Sequence, residues 1–150
     1  RNYLAITEKR LGDLSERLSA STGAMRVNTD LAGDAEARRA TERPAEQYIR
    51  TPWMQIDDVF YEARGASWAL LQFLRAMETD FAPVLERKNA QLSMRQIIRE
   101  LEQAQQPLHS PVILNGSGYG MLANHSLVLS SYLSRAHGAI IDLRELLEKG

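Results

Sequence analysis

The sequence predicts an all-α fold: an up-down helical bundle with two long helices, one helix truncated by the start of the chain, and one short helix completed by an extended Gly/Pro segment. Two observations carry this. Apolar residues from Trp53 to Phe81 and from Leu122 to Leu147 step by three or four for about four heptads, which favours bundle packing over a short globular helix. Between them, Pro107 to Asn124 breaks the helical pattern with Pro107, Pro111, Gly116, Gly118 and Gly120.

The first helix covers about residues 2–20, with Leu4, Thr7, Leu11, Leu14 and Leu18 on one face. It has no start signal, and the chain opens on Arg1, so the helix is expected to continue upstream in a longer protein. Residues 21–50 hold Gly23, Gly33, Pro44 and a mixed-charge run, and read as a long solvated connector.

Thr51 and Pro52 form a favoured helix start, as N-cap and first helical residue. The seam of this second helix runs Trp53, Ile56, Phe60, Ala63, Ser67, Leu70, Leu74, Met77 and Phe81 until Pro83, after which one more turn fits. Ser93 with Gln96 reads as a capping box opening a third helix of about 13 residues, apolar at Met94, Ile97, Ile98 and Leu101. The fourth carries Leu122, Ser126, Leu129, Leu133, Ala136, Ile140, Leu143 and Leu147.

Helices two and four are expected to be about 40–45 Å long and helix three about 20 Å. Residues 107–120 then complete the short column, with Val112, Ile113 and Leu114 covering the core. This topology brings the connector, the glycine loop and the start of helix two to one end of a single 1–150 domain. A site, if present, belongs there, drawn from Asp57, Asp58, Glu62, Arg64, Asn115, Ser117, Tyr119, Asn124 and His125.

Composition removes several function classes. The chain has 150 residues, 44% hydrophobic and 25% charged, with a net charge of −1, which gives no footprint for nucleic acid. It has no cysteine, so thiolate chemistry and disulfides are absent. No apolar run is long enough for a membrane span.

Asn115-Gly116-Ser117-Gly118-Tyr119-Gly120 precedes a helix, where backbone N–H groups can cradle an anion, but no lysine follows and no βαβ unit surrounds it. A ligand-free turn is the favoured reading. Ser117 is not in a nucleophile-elbow sequence. Asp57, Asp58 and Glu62 can hold a cation or move protons, yet acids at a helix start also suit its dipole. His109, His125 and His137 lack metal-ligand spacing. Gly65 and Gly138 point to close helix approach, with a self-association face or polar groove as the alternative, and Trp53 and Trp68 to core or interface anchors. No catalytic residue, metal or cofactor is called for.

Three strings carry a resemblance: Trp53 to Gly65 with its continuation to Phe81, Arg95-Gln-Ile-Ile-Arg-Glu-Leu-Glu, and Asn115-Gly-Ser-Gly-Tyr-Gly. With Asn28-Thr-Asp-Leu-Ala-Gly-Asp, they resemble an uncharacterised Gram-negative bacterial family, domain of unknown function 2333, across nearly the whole chain. The resemblance implies a membrane-spanning helix upstream, an inner-membrane location and a soluble part in the periplasm. It supplies no activity. The expected function is a non-catalytic interaction or scaffold module of a membrane-anchored envelope protein, with other envelope proteins or self-association as partners. The alternative is a small-ligand or anion-binding protein or hydrolase, with a pocket between the Asn115–Gly120 loop and the Asp57–Arg64 turn.

Overall fold

The structure, a computed structural model, describes residues 2–27 and 46–149. In chain order it has helix α1 (Asn2–Ser19), a 3-10 turn (Ala20–Thr22), strands β1 (Ala24–Val27) and β2 (Glu46–Ile49), and a second 3-10 turn (Trp53–Gln55). Helices α2 (Ile56–Asp80), α3 (Ala82–Arg87), α4 (Gln91–Gln103) and α5 (His125–Lys149) follow. Gly33, Pro44, the mixed-charge run and the Asn28–Asp34 string lie outside the described residues.

The α1 face forms as its spacing dictates: Leu4, Thr7, Leu11, Leu14 and Leu18 are all buried. The one polar member, Thr7, satisfies its hydroxyl by donating to Tyr3 O at 2.9 Å. On α2, Ile56, Phe60, Ala63, Ser67, Leu70 and Leu74 are buried. The ends of that seam differ from expectation, since Trp53 is 83% exposed and Phe81 51%. The backbone explains both. A 3-10 turn before Ile56 rotates Trp53 off the α-helical face, and Phe81 sits where α2 stops ahead of Pro83, the second residue of α3.

Thr51 is not the N-cap. Its N–H donates to Ala20 O at 2.9 Å and its hydroxyl to Arg17 O at 3.4 Å, tying it to the end of α1. Nor do Ser93 and Gln96 form a capping box. The helix starts two residues earlier, after Ala90, and Gln96 Nε2 donates to Glu100 Oε1 instead. The cause is the turn leaving α3. Asn89 has φ 50°, and the bonds Asn89 N–H to Glu86 O and Ala90 N–H to Leu85 O form a Schellman turn, packing Leu85 and Ala90 together in the core.

Cross-helix pairs fix the topology. Glu8 with Arg144 and Ser15 with Ser130 run α1 antiparallel to α5, and Tyr3 with Phe73 and Arg17 with Glu62 run it antiparallel to α2. Glu78 with Arg95 joins α2 to α4, and Glu100 with Arg135 joins α4 to α5. The result is the expected up-down bundle around Leu11, Leu18, Leu74, Met94, Ile97, Leu101, Leu133, Ile140 and Leu143.

α4, at 13 residues, spans about 20 Å against about 37 Å for the 25 residues of α2. Its column is shared. Leu85 of α3 enters the core, and beyond α4 so do Ala104 and Ile113, with Leu108 packed against them. Val112 does not cover the core, being 57% exposed, and Leu114 is only half-buried. An extended segment alternates its side chains, so three neighbours do not all face inward.

The outer ends of the long connector also take regular form, pairing antiparallel from Ala24 opposite Ile49 to Val27 opposite Glu46. Gly23 is required there. Its φ is 84°, and a Cβ would collide with the Tyr48 hydroxyl.

Gly65 and Gly138 do not mark close helix approach within the chain, because an added Cβ at either meets nothing within 4 Å. At Gly12 a would-be Cβ meets the His137 imidazole at 3.5 Å, an ordinary packing contact between α1 and α5. Alanine at Gly65 or Gly138 therefore adds helix propensity without a clash. Gly65→Ala and Gly138→Ala are each expected to raise unfolding free energy by about 0.5–1 kcal/mol in urea denaturation.

Candidate functional site

The end of α1, the strand pair, the starts of α2 and α5 and the segment after α4 meet at one end of the bundle. Asn115 Nδ2 donates to Ser21 O at 3.0 Å, joining the glycine loop to the start of the connector.

The loop is closed at its base by its own backbone. Asn115 and Asn124 form an antiparallel bridge, and Gly116 N–H donates to Ala123 O at 2.9 Å. Leu114 and His125 pair reciprocally. His125 N–H donates to Leu114 O, and Leu114 N–H donates to His125 Nδ1, each at 3.0 Å. Only an unprotonated ring nitrogen can accept this bond.

Asn124 is the central residue. Its Nδ2 donates to Asn115 Oδ1 at 2.9 Å and to Gly116 O at 2.6 Å, while its Oδ1 accepts Leu127 N–H at 2.8 Å as the N-cap of α5. Two of the glycines have direct geometric causes. A Cβ on Gly116 would collide with Leu122 O, and Gly118 has φ 85°.

The other candidates are dispersed. Arg64 Nη2 donates to Gln105 O and Gln106 O at 3.0 and 2.8 Å, just beyond α4, and Gln105 Nε2 returns a bond to Ser67 Oγ at 2.8 Å. Arg17 grips Glu62 through both nitrogens, at 3.0 and 2.6 Å. This hydrogen-bonded pairing holds the Glu62 carboxyl below the usual carboxylate range and raises Arg17. Asp57, Asp58, Ser117 and Tyr119 are exposed, Tyr119 completely so. Asp57 and Asp58 sit in the first turn of α2, where the helix dipole favours them.

Arg64 and His125 do share a cavity of about 140 Å³, with Gln106 and Tyr132. Asn115 borders another of about 190 Å³, with Arg50, Thr51 and Trp53. Neither is lined by Asp57, Asp58, Glu62, Ser117, Tyr119 or Asn124. Among the described residues, no group of three or more His, Asp or Glu side chains is placed to hold a metal ion. His109 is exposed, and His137 packs beside Gly12.

The same end carries a feature that the sequence reading missed. Tyr119 and Met121 are fully exposed, Met54 and Trp53 are 84% and 83% exposed, and Leu122 is 65% exposed. Met25 and Tyr48, paired across the two strands, are also exposed. The apolar period places Leu122 and Trp53 in buried seams, and both face water instead. The available signal was the apolar residues directly flanking the glycine loop and Pro52.

The family profile of DUF2333, described as an uncharacterized protein conserved in bacteria, matches residues 1–150. The chain belongs to the DUF2333 family. No curated protein and no solved structure matches it. The DUF2333 strings now have structural meaning. Asn115 to Gly120 forms the tight half of the loop, and the Arg95–Glu102 string supplies the α4 ion pairs to Glu78, Arg135 and Arg75.

Asn124→Ala removes a helix cap and leaves Asn115 and Gly116 short of a donor. It is expected to cost about 1–2 kcal/mol in urea denaturation. Glu62 has its carboxyl pKa depressed in the fold, so its stabilisation is present above the unfolded value, about pH 4.3, and is lost as pH falls through the lower folded value. The pair is partly exposed and screened. Glu62→Gln should therefore lose at most about 1 kcal/mol at neutral pH, and the gap to wild type should close as pH falls towards the folded value.

Proposed function

We propose that this DUF2333 chain is the soluble helical-bundle portion of a membrane-anchored bacterial envelope protein, acting without catalysis as an interaction or scaffold module through its loop end. The single observation that carries this reading is the gathering of Trp53, Met54, Tyr119, Met121 and Leu122, all largely or wholly exposed, at that end. Soluble proteins rarely leave large apolar side chains contiguous in water unless something covers them. Trp and Tyr are also the residue types that most often anchor protein contacts.

Membrane anchoring, an inner-membrane location and a periplasmic bundle rest on the family resemblance. Among the described residues no helix is long and apolar enough to cross a membrane. The partner is an envelope protein or a second copy of this chain.

The competing pocket reading has less support. The two cavities that proposed site residues line, about 140 and 190 Å³, fall below the roughly 300–1,000 Å³ usual for small-molecule sites, and a larger one of about 430 Å³ between the end of α1, the strand pair and the approach to α2 is lined by none of them. Most of the proposed ligand-binding side chains are engaged within the fold or face water.

The test is comparative capture from membranes with full-length protein. A Trp53→Ser, Met121→Ser double variant should lose a specifically retained partner while unfolding free energy changes by no more than about 0.5 kcal/mol per substitution. Leu92→Ser, at an 80% exposed position on α4 near the opposite end, should retain it. Identical capture by both variants contradicts the reading.

A further inference from the structure

One of the bonds that close the glycine loop has an acceptor that titrates. Leu114 N–H donates to His125 Nδ1 at 3.0 Å, and His125 N–H returns a bond to Leu114 O. The other bonds at the base use backbone and amide groups: Gly116 N–H to Ala123 O, and the Asn124 side chain to Asn115, Gly116 and Leu127. Among the described residues bonded there, only His125 has a group that takes up a proton near neutral pH.

A proton on Nδ1 and the Leu114 bond exclude each other. An imidazolium donates from both nitrogens, so Leu114 N–H would meet a donor where it now meets a lone pair. Leu114 is half-buried beside the buried Ile113, and an N–H stranded there is costly. The closed loop also fixes the tautomer. With Nδ1 accepting, the neutral ring carries its hydrogen on Nε2.

The surroundings oppose a positive ring. His125 shares its cavity with the Arg64 guanidinium of α2, with uncharged side chains of α4 and with the Tyr132 phenol of α5, and no carboxylate lines it. Arg64 is held in place by Gln105 O and Gln106 O. Arg135 lies over the Tyr132 ring, with its own charge met by Glu100. On the connector side, Arg50 lines the next cavity, at Asn115. His125 is also the first residue of α5, where the helix dipole repels a cation.

We propose that the His125–Leu114 bond is a pH-sensitive latch: protonation of His125 releases the base of the glycine loop, and with it the segment carrying Tyr119, Met121 and Leu122. The open form holds one proton more than the closed form. The latch therefore holds above the ordinary imidazole value, about 6.5, and opens more readily as pH falls below it. It is independent of what the loop end contacts.

Native-state hydrogen exchange of the intact protein at about pH 7.5 and about pH 5, corrected for intrinsic exchange rates, tests the latch. Protection of the Leu114 and Gly116 amides should fall by at least about tenfold, since one proton is worth up to tenfold per pH unit. At the lower pH both should also exchange at least about tenfold faster than Leu133 and Ile140 in the buried face of α5, the mark of a local opening. His125→Asn keeps an acceptor for Leu114 N–H without a titrating group, so its loop base should lose the pH dependence. His109→Gln, at an exposed position, should keep it. Four results would overturn the proposal: protection of Leu114 that does not change with pH, one opening free energy shared by Leu114 and Leu133 at the lower pH, pH dependence retained by His125→Asn or lost in His109→Gln, or an imidazole nitrogen spectrum that puts the neutral hydrogen of His125 on Nδ1. The last is read from the wild type alone.

Discussion

The buried Asn124 side chain is the constraint on which the loop end depends. One amide closes the glycine loop through Asn115 and Gly116 and starts α5 by capping Leu127. Of these bonds the one to the Gly116 carbonyl is buried, where an unpaired polar atom costs about 1–3 kcal/mol, while the part-buried Asn115 and Leu127 groups can turn to water. Closure of the loop also holds Leu114 against His125, next to the buried Ile113 that continues the short α4 column. Packing of the bundle end and termination of the backbone ladder are thus one arrangement.

That arrangement accounts for the glycines. Gly116 lets the chain pass the Leu122 carbonyl, and Gly118 takes a left-handed turn. Both requirements come from the loop's own backbone and need no ligand. The turn has a consequence on the outside, because a loop this tight turns Tyr119, Met121 and Leu122 into water. Closure inside and apolar exposure outside are two faces of the same geometry.

Much of the bundle was legible because period and burial coincide along straight helices. Every α1 seam residue from Leu4 to Leu18 is buried, as is each apolar member of the α4 face. Errors fell where the apolar period ran past the helix. Trp53 and Leu122 keep the spacing, but one lies in a 3-10 turn and the other in the loop, so neither faces inward. Ser93 and Gln96 fit a capping pattern, yet the Schellman turn at Asn89 starts the helix earlier. For Asn124, spacing alone cannot show that both ends of its amide are engaged within the fold. Spacing could place Arg17 and Glu62 on their helices but gave no sign that they would meet across 45 positions.

Native-state hydrogen exchange tests the closed loop base most directly. The amides of Leu114, Gly116, His125 and Leu127 are all donors in this closure. They should be protected together and exchange with one opening free energy, while Ser117 to Met121 exchange freely. Exchange of those four amides as fast as the loop tip would contradict the account and return the glycine loop to the status of an open site.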